Sequence, residues 1–153
     1  MRLPKQILVI PFIIEDNRKV KYCILKRKDL EVYQFVAGGM EDFDNSIEDA
    51  AKRELKEETG IFAQDENLYR LECKCMIPVV NIVKDFLWGE NVYYAEEYSF
   101  GVKLNEGDKI TLSVEHSELQ WLEYNDARKL LKYDSNKSAL WELDTKIKRQ
   151  IIK

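Results

Sequence analysis

The stretch that decides the fold is "GGMEDFDNSIEDAAKRELKEETGI", Gly38 to Ile61. Ser46 stands where a helix N-cap belongs, with Asp49 three residues later in a near capping box. Gly60 marks the C-terminal stop. Between them Ile47, Ala50, Ala51 and Leu55 recur at helical spacing and form an apolar stripe. Glu54, Glu57 and Glu58 fall outside that stripe. At 100° per residue, positions i, i+3 and i+4 share a face, so these three carboxylates are neighbours. Like charges at this spacing repel by a few tenths of a kcal/mol. Negative charge at a helix C-terminus also opposes the dipole. A divalent cation relieves both costs, and a rigid carboxylate face is a hard oxygen site suited to Mg²⁺ or Mn²⁺. The plain alternative is a solvated helix whose acids are offset by Arg53 and Lys56.

Outward from this helix the chain reads as strands, helix, strands, helices, which is an α+β order. "KQILVIPFIIE" and "VKYCILKR" are strands joined by the loop "EDNRK". "VYQFVAGG" is a third strand, stopped by its two glycines. Residues 68–80 are extended, and 81–91 are ambiguous. "VYYAEEYSFGVKL" is a strong strand interrupted by Glu96 and Glu97. "GDKITLS" and "ELQWLEY" are two more short strands. "NDARKLL" is a short helix, and "SNKSALWELDTKIKRQIIK" is a C-terminal helix with Leu140, Leu143 and Ile147 on one face.

The length of 153 residues suits one domain, 1–153, with a single core. A net charge of −4 argues against a protein held to nucleic acid by a basic surface. It leaves phosphate substrates open, since a bound cation supplies positive charge. Three cysteines, Cys23, Cys73 and Cys75, and no signal peptide fit a reducing cytoplasm. "CKC" with a single histidine in the chain is a poor zinc site; alternate positions on one strand explain it better. The apolar run "ILVIPFII" is too short to span a bilayer.

Gly39, Arg53, Glu54, Leu55, Glu57, Glu58, Gly60 and Ile61 fall at the spacing of the Nudix box, G-x5-E-x7-R-E-U-x-E-E-x-G-U, with U a bulky aliphatic residue. Eight of the nine specified positions match, and the ninth is Asn45. The chain therefore resembles the Nudix hydrolase family, and the resemblance implies an α/β/α sandwich around a mixed sheet. It implies metal binding by Glu54, Glu57 and Glu58 with the Gly39 carbonyl, and a water-activating role for Glu54. Arg53 then holds carboxylates in place. The implied reaction is attack of water on a phosphoanhydride, with Mg²⁺ or Mn²⁺ as cofactor. Asn45 departs from the pattern. Either its amide accepts from Arg53, or Asp44 fills the role from a shifted position.

The tail "SVEHSELQWL", "DARKLL", "SNKSALWEL" resembles a bacterial subgroup of dATP or dihydroneopterin triphosphate pyrophosphohydrolases. That resemblance points to Glu115 as a further metal ligand or base. It implies a small phosphoanhydride substrate and leaves room for a homodimer. Lys26 and Arg27 end the second strand as phosphate-binding candidates, but strand neighbours face opposite sides, so only one points inward. Asn136 is a candidate for reading a base edge or, with Ser135, for capping the last helix. Trp88 and Tyr33 are stacking candidates or packing residues. His116 is either a phosphate contact or structural, and Trp121 belongs to the core.

Overall fold

The computed structural model describes residues 1–153. Its organising element is β1 (Arg2–Ile14), which has a different neighbour along each half of one edge. Its first half pairs antiparallel with β4 (Val36–Glu41), from Arg2 opposite Glu41 to Val9 opposite Val36. Its last turn pairs antiparallel with β2 (Val20–Arg27), Ile14 opposite Val20. The other edge runs parallel to β6 (Tyr94–Lys103) from Lys5 to Phe12. The path β3-β2-β1-β6-β5 continues with β3 (Tyr33–Gln34) and β5 (Leu68–Pro78), and β7 (His116–Leu122) pairs with β2. Seven strands in mixed directions make one sheet.

Alternation along β1 splits the core. Ile7 and Val9 pack with Ala50, Ala51 and Leu55 of α1 (Ile47–Thr59). Leu8, Ile10 and Phe12 pack on the opposite face with Ala127 of α2 (Tyr124–Leu130) and with Leu140, Leu143 and Ile147 of α3 (Asp134–Lys148). This is the α/β/α sandwich. A strand covered on both faces reads as continuous apolar sequence, which explains "ILVIPFII".

Two expectations are corrected. Gly38 and Gly39 do not end a strand: "VYQFVAGG" divides at Phe35 into β3 and β4, and both glycines lie inside β4. The division is tied by the Phe35 N–H, which donates to Asn136 Oδ1 at 3.0 Å instead of to a strand. The segment "GDKITLS" is not a strand either. It crosses the end of α1, where Thr111 N–H donates to Thr59 O at 2.8 Å and Ser113 N–H to Glu58 O at 3.3 Å. Those carbonyls would otherwise lack partners, as the last carbonyls of a helix do. The extended reading of 68–80 holds to Pro78; Val79–Asn81 form a single helical turn, and the ambiguous stretch that begins at Asn81 continues in turns.

Candidate active site

Helix α1 is fixed at both ends. Ser46 Oγ accepts from the Asp49 N–H at 3.1 Å. Gly60 takes φ 78° and donates to Lys56 O at 2.8 Å, a conformation open to glycine at little cost. With Ala50, Ala51 and Leu55 turned inward, Glu54 and Glu58 lean against β4 and Glu57 faces solvent. A Cβ built at Gly38 would fall 2.2 Å from the Glu54 carboxyl carbon. Glycine at 38 is thus what lets the carboxylate lie against the strand.

Arg53 is the hub of the site. Its Nε and Nη2 donate to the two oxygens of Asp44 at 3.0 and 2.9 Å. Nη2 also donates to Gly39 O at 2.9 Å, and Nη1 donates to Glu54 at 3.0 Å and Glu57 at 3.3 Å. Asp44 further accepts from the Glu41 N–H at 2.8 Å. Its carboxyl is held below the usual range chiefly by the Arg53 hydrogen bond. The partner of Arg53 is therefore Asp44, one residue before the box position, while Asn45 is exposed.

Burial dominates the electrostatics. It pushes Glu54 up to about 7 against the pull of Arg53, with help from Glu57 and Glu115. It pushes Glu58 up to about 9, with Glu54 and Glu115 adding repulsion. One Glu58 oxygen accepts from the Ala37 N–H at 3.2 Å, and the other lies 3.3 Å from His116 Nε2, which makes no hydrogen bond. His116 is buried and its pKa is lowered, first by desolvation, so the ring is neutral near pH 7.

These groups line one end of an open cavity of about 860 Å³. Glu54, Glu57, Glu58, Glu115 and Gly39 all border it. Arg27 reaches it, paired with Asp29, while Lys26 sits outside over the Tyr33 ring. Asn136 also borders it, buried, with Oδ1 committed to Phe35 and Nδ2 donating to Ser135 Oγ at 3.3 Å. Trp88 does not border the cavity; its Nε1 donates to Arg2 O at 2.7 Å. Tyr33 bonds Glu118, and Trp121 packs on the core. Arg2 and Glu97 are among the bordering residues that the sequence reading did not place in the site. Arg2 gave no signal at the head of a strand. Glu97 did give one, a charge inside an otherwise apolar strand.

The donor set suits a divalent cation. It consists of carboxylate and carbonyl oxygens, and burial raises both Glu54, despite its contact with Arg53, and Glu58, a cost that a bound cation would offset. No three His, Cys, Asp or Glu side chains are already drawn to a single metal-sized point. Arg53 accounts for this in part, since its guanidinium holds the Glu54 and Glu57 carboxylates on itself.

The NUDIX domain family model matches residues 5–142. The chain belongs to the Nudix hydrolase family. A NUDIX-family protein of solved structure from Listeria monocytogenes is 40% identical, with 97% of each chain covered and a TM-score of 0.83. The E. coli dihydroneopterin triphosphate pyrophosphohydrolase is 25% identical over 94% of this chain and 97% of its own, with a TM-score of 0.74. A C. elegans Ap4A hydrolase shares the fold at 22% identity, with 95% and 98% of the two chains covered and a TM-score of 0.72. Comparison with curated protein sequences returns no match. Nudix hydrolases generally use divalent metal ions. No helix of this protein is long and apolar enough to cross a membrane.

Proposed function

We propose that this Nudix hydrolase is a Mg²⁺- or Mn²⁺-dependent pyrophosphohydrolase that cleaves a nucleoside or pterin triphosphate to the monophosphate and pyrophosphate. The supporting observation is one cavity bordered both by the carboxylates Glu54, Glu57, Glu58 and Glu115 and by the uncharged polar groups of Gln34, Ser135 and Asn136. A triphosphate laid along it sets its charge at the carboxylates and its heterocycle at the amides. The likeness to the dihydroneopterin triphosphate enzyme points the same way.

In this reading Glu54, Glu57, Glu58, Glu115 and the Gly39 carbonyl would hold the metal, which would supply the positive charge that the phosphates need. Glu54, pushed up to about 7, is poised to take a proton from the attacking water. Arg53 orients Glu54 and Glu57, and Asp44 keeps Arg53 in place. Arg27 meets phosphate oxygens at the cavity mouth. The negative net charge favours a small substrate over a nucleic acid, and the free thiols fit a reducing cytoplasm.

The test is a panel of nucleoside and pterin triphosphates, dinucleoside polyphosphates and sugar nucleotides with Mg²⁺, read by released pyrophosphate or phosphate. Pyrophosphate from a triphosphate is the expected result. Turnover confined to dinucleoside polyphosphates or oxidised nucleotides would replace this substrate class with another. Tight binding with no turnover of any member would defeat the catalytic reading.

A further inference from the structure

Glu97 lies in the middle of β6, opposite Gln6 of β1 and Cys75 of β5. Along β6 it shares a face with Ser99 and Gly101, and a Cβ at Gly101 would meet Leu143 of α3 at 2.7 Å. Glu97 therefore faces the α3 layer, away from the carboxylates of α1. It is only 6% exposed, borders the cavity, and its Oε1 has no hydrogen-bond partner in the protein. No Lys, Arg or His pairs with it. An isolated buried carboxylate is costly and calls for an explanation. Burial pushes it up to about 7, with the Ser135 hydroxyl pulling the other way.

The neighbouring polar groups define what would satisfy it. Asn136 Oδ1 is occupied by the Phe35 N–H, which fixes the amide orientation and leaves Nδ2 as a donor. One Nδ2 hydrogen serves Ser135 Oγ, and the second is free. The same wall thus offers two carboxylate acceptors beside one amide donor. The complementary edge has two N–H donors followed by a carbonyl. A 2-amino-4-oxopyrimidine presents that edge, both in guanine and in a pterin. Adenine and cytosine set a ring nitrogen lone pair against the carboxylate instead. The terminal torsion of a glutamate is soft, so both oxygens can turn to meet the ligand. The first turn of α3, at Asp134–Asn136, adds positive dipole that favours the ionised form.

We propose that Glu97 is a specificity-determining residue that reads the paired N–H donors of a 2-amino-4-oxopyrimidine, with Asn136 Nδ2 reading the adjacent carbonyl. This rests on the triphosphate reading above and narrows it to guanine or pterin substrates.

The test measures binding of GMP, IMP and AMP with Mg²⁺ by calorimetry, for the wild type and for Glu97→Gln. IMP differs from GMP only by lacking the 2-amino donor. The wild type is expected to prefer GMP over IMP and AMP by roughly 10- to 100-fold, as for a bidentate base contact. In Glu97→Gln the preference for GMP over IMP collapses to within about 3-fold while the fold, followed by circular dichroism, stays intact. Equal wild-type affinity for GMP and IMP, a preference that survives in Glu97→Gln, or no measurable binding of any of the three overturns the inference. A parallel assay separates it from the function it rests on. Selective GMP binding without pyrophosphate release from any triphosphate sinks the hydrolytic reading and leaves Glu97 as a base reader. Release from all triphosphates at equal rates, unaltered in Glu97→Gln, does the reverse.

Discussion

Glu97→Gln is expected to stabilise the ligand-free protein at pH 8.5 and to change it little at pH 4.5. The Glu97 carboxyl ionises in the folded state at about 7, against 4.5 for the ordinary group. The folded state therefore binds the proton more tightly, and stability falls as pH rises through that window. Below 4.5 both states are protonated and the cost is absent; above 7 both are ionised and it is fully present. A difference of about 2.5 in pKa at about 1.4 kcal/mol each gives about 3.5 kcal/mol. Glutamine stays neutral throughout and escapes this cost. For a chain of this size the midpoint at pH 8.5 rises by roughly 7–14 °C. Urea titrations of both proteins at several pH values measure the difference directly. A constant offset at every pH would show that Glu97 does not titrate in a buried setting, and the argument from its burial would fail.

The other expectations concern the acidic end of the cavity. Glu57→Gln lowers turnover at least 100-fold with stability changed by no more than about 0.5 kcal/mol, because Glu57 faces solvent; unchanged turnover would remove it from the metal site. Asp44→Asn breaks the paired hydrogen bonds to Arg53 and costs about 2–3 kcal/mol in a denaturant titration, with reduced turnover. Asn45→Glu, at an exposed position, changes activity less than 3-fold; a large drop would mean that the turn is built around the amide. Gly38→Ala drives Glu54 off the strand, so the midpoint of unfolding stays nearly constant while turnover falls; retained turnover would refute the role given to that contact. Chelation with EDTA abolishes pyrophosphate release, and Mg²⁺ or Mn²⁺ restores it.

Much of this was legible in the sequence because it is local. Ser46, the alanine stripe and Gly60 delimit α1 by interactions within a few residues, and the facing of Glu54, Glu57 and Glu58 follows from helical pitch alone. What was illegible depends on residues far apart in the chain. "KITLS" has strand composition, but its N–H groups go to the end of α1 rather than to a strand. Gly38 and Gly39 look like a terminator; they are instead points where the side chains of Glu54 and Arg2 approach a continuing strand. Of the two partners that the sequence offered Arg53, the Asn45 amide and Asp44, the fold selects Asp44, because the turn from Glu41 bonds back on it. Glu97 was visible as a charge in an apolar strand, but its purpose needed α3 beside it.

The pairing of β1 with β6 also has a bearing on how the chain is made. Lys5 lies opposite Glu96 and Phe12 opposite Lys103, contacts about ninety residues apart in sequence. Such distant pairings are slow to form. During synthesis, β1, β2, β4 and α1 leave the ribosome well before β6 exists, at about 5–20 residues per second. For several seconds the apolar run Ile7–Ile10 has one edge without a partner, the kind of edge that other chains add to. The strand that organises the finished sheet is also its most exposed liability until the second half of the chain arrives.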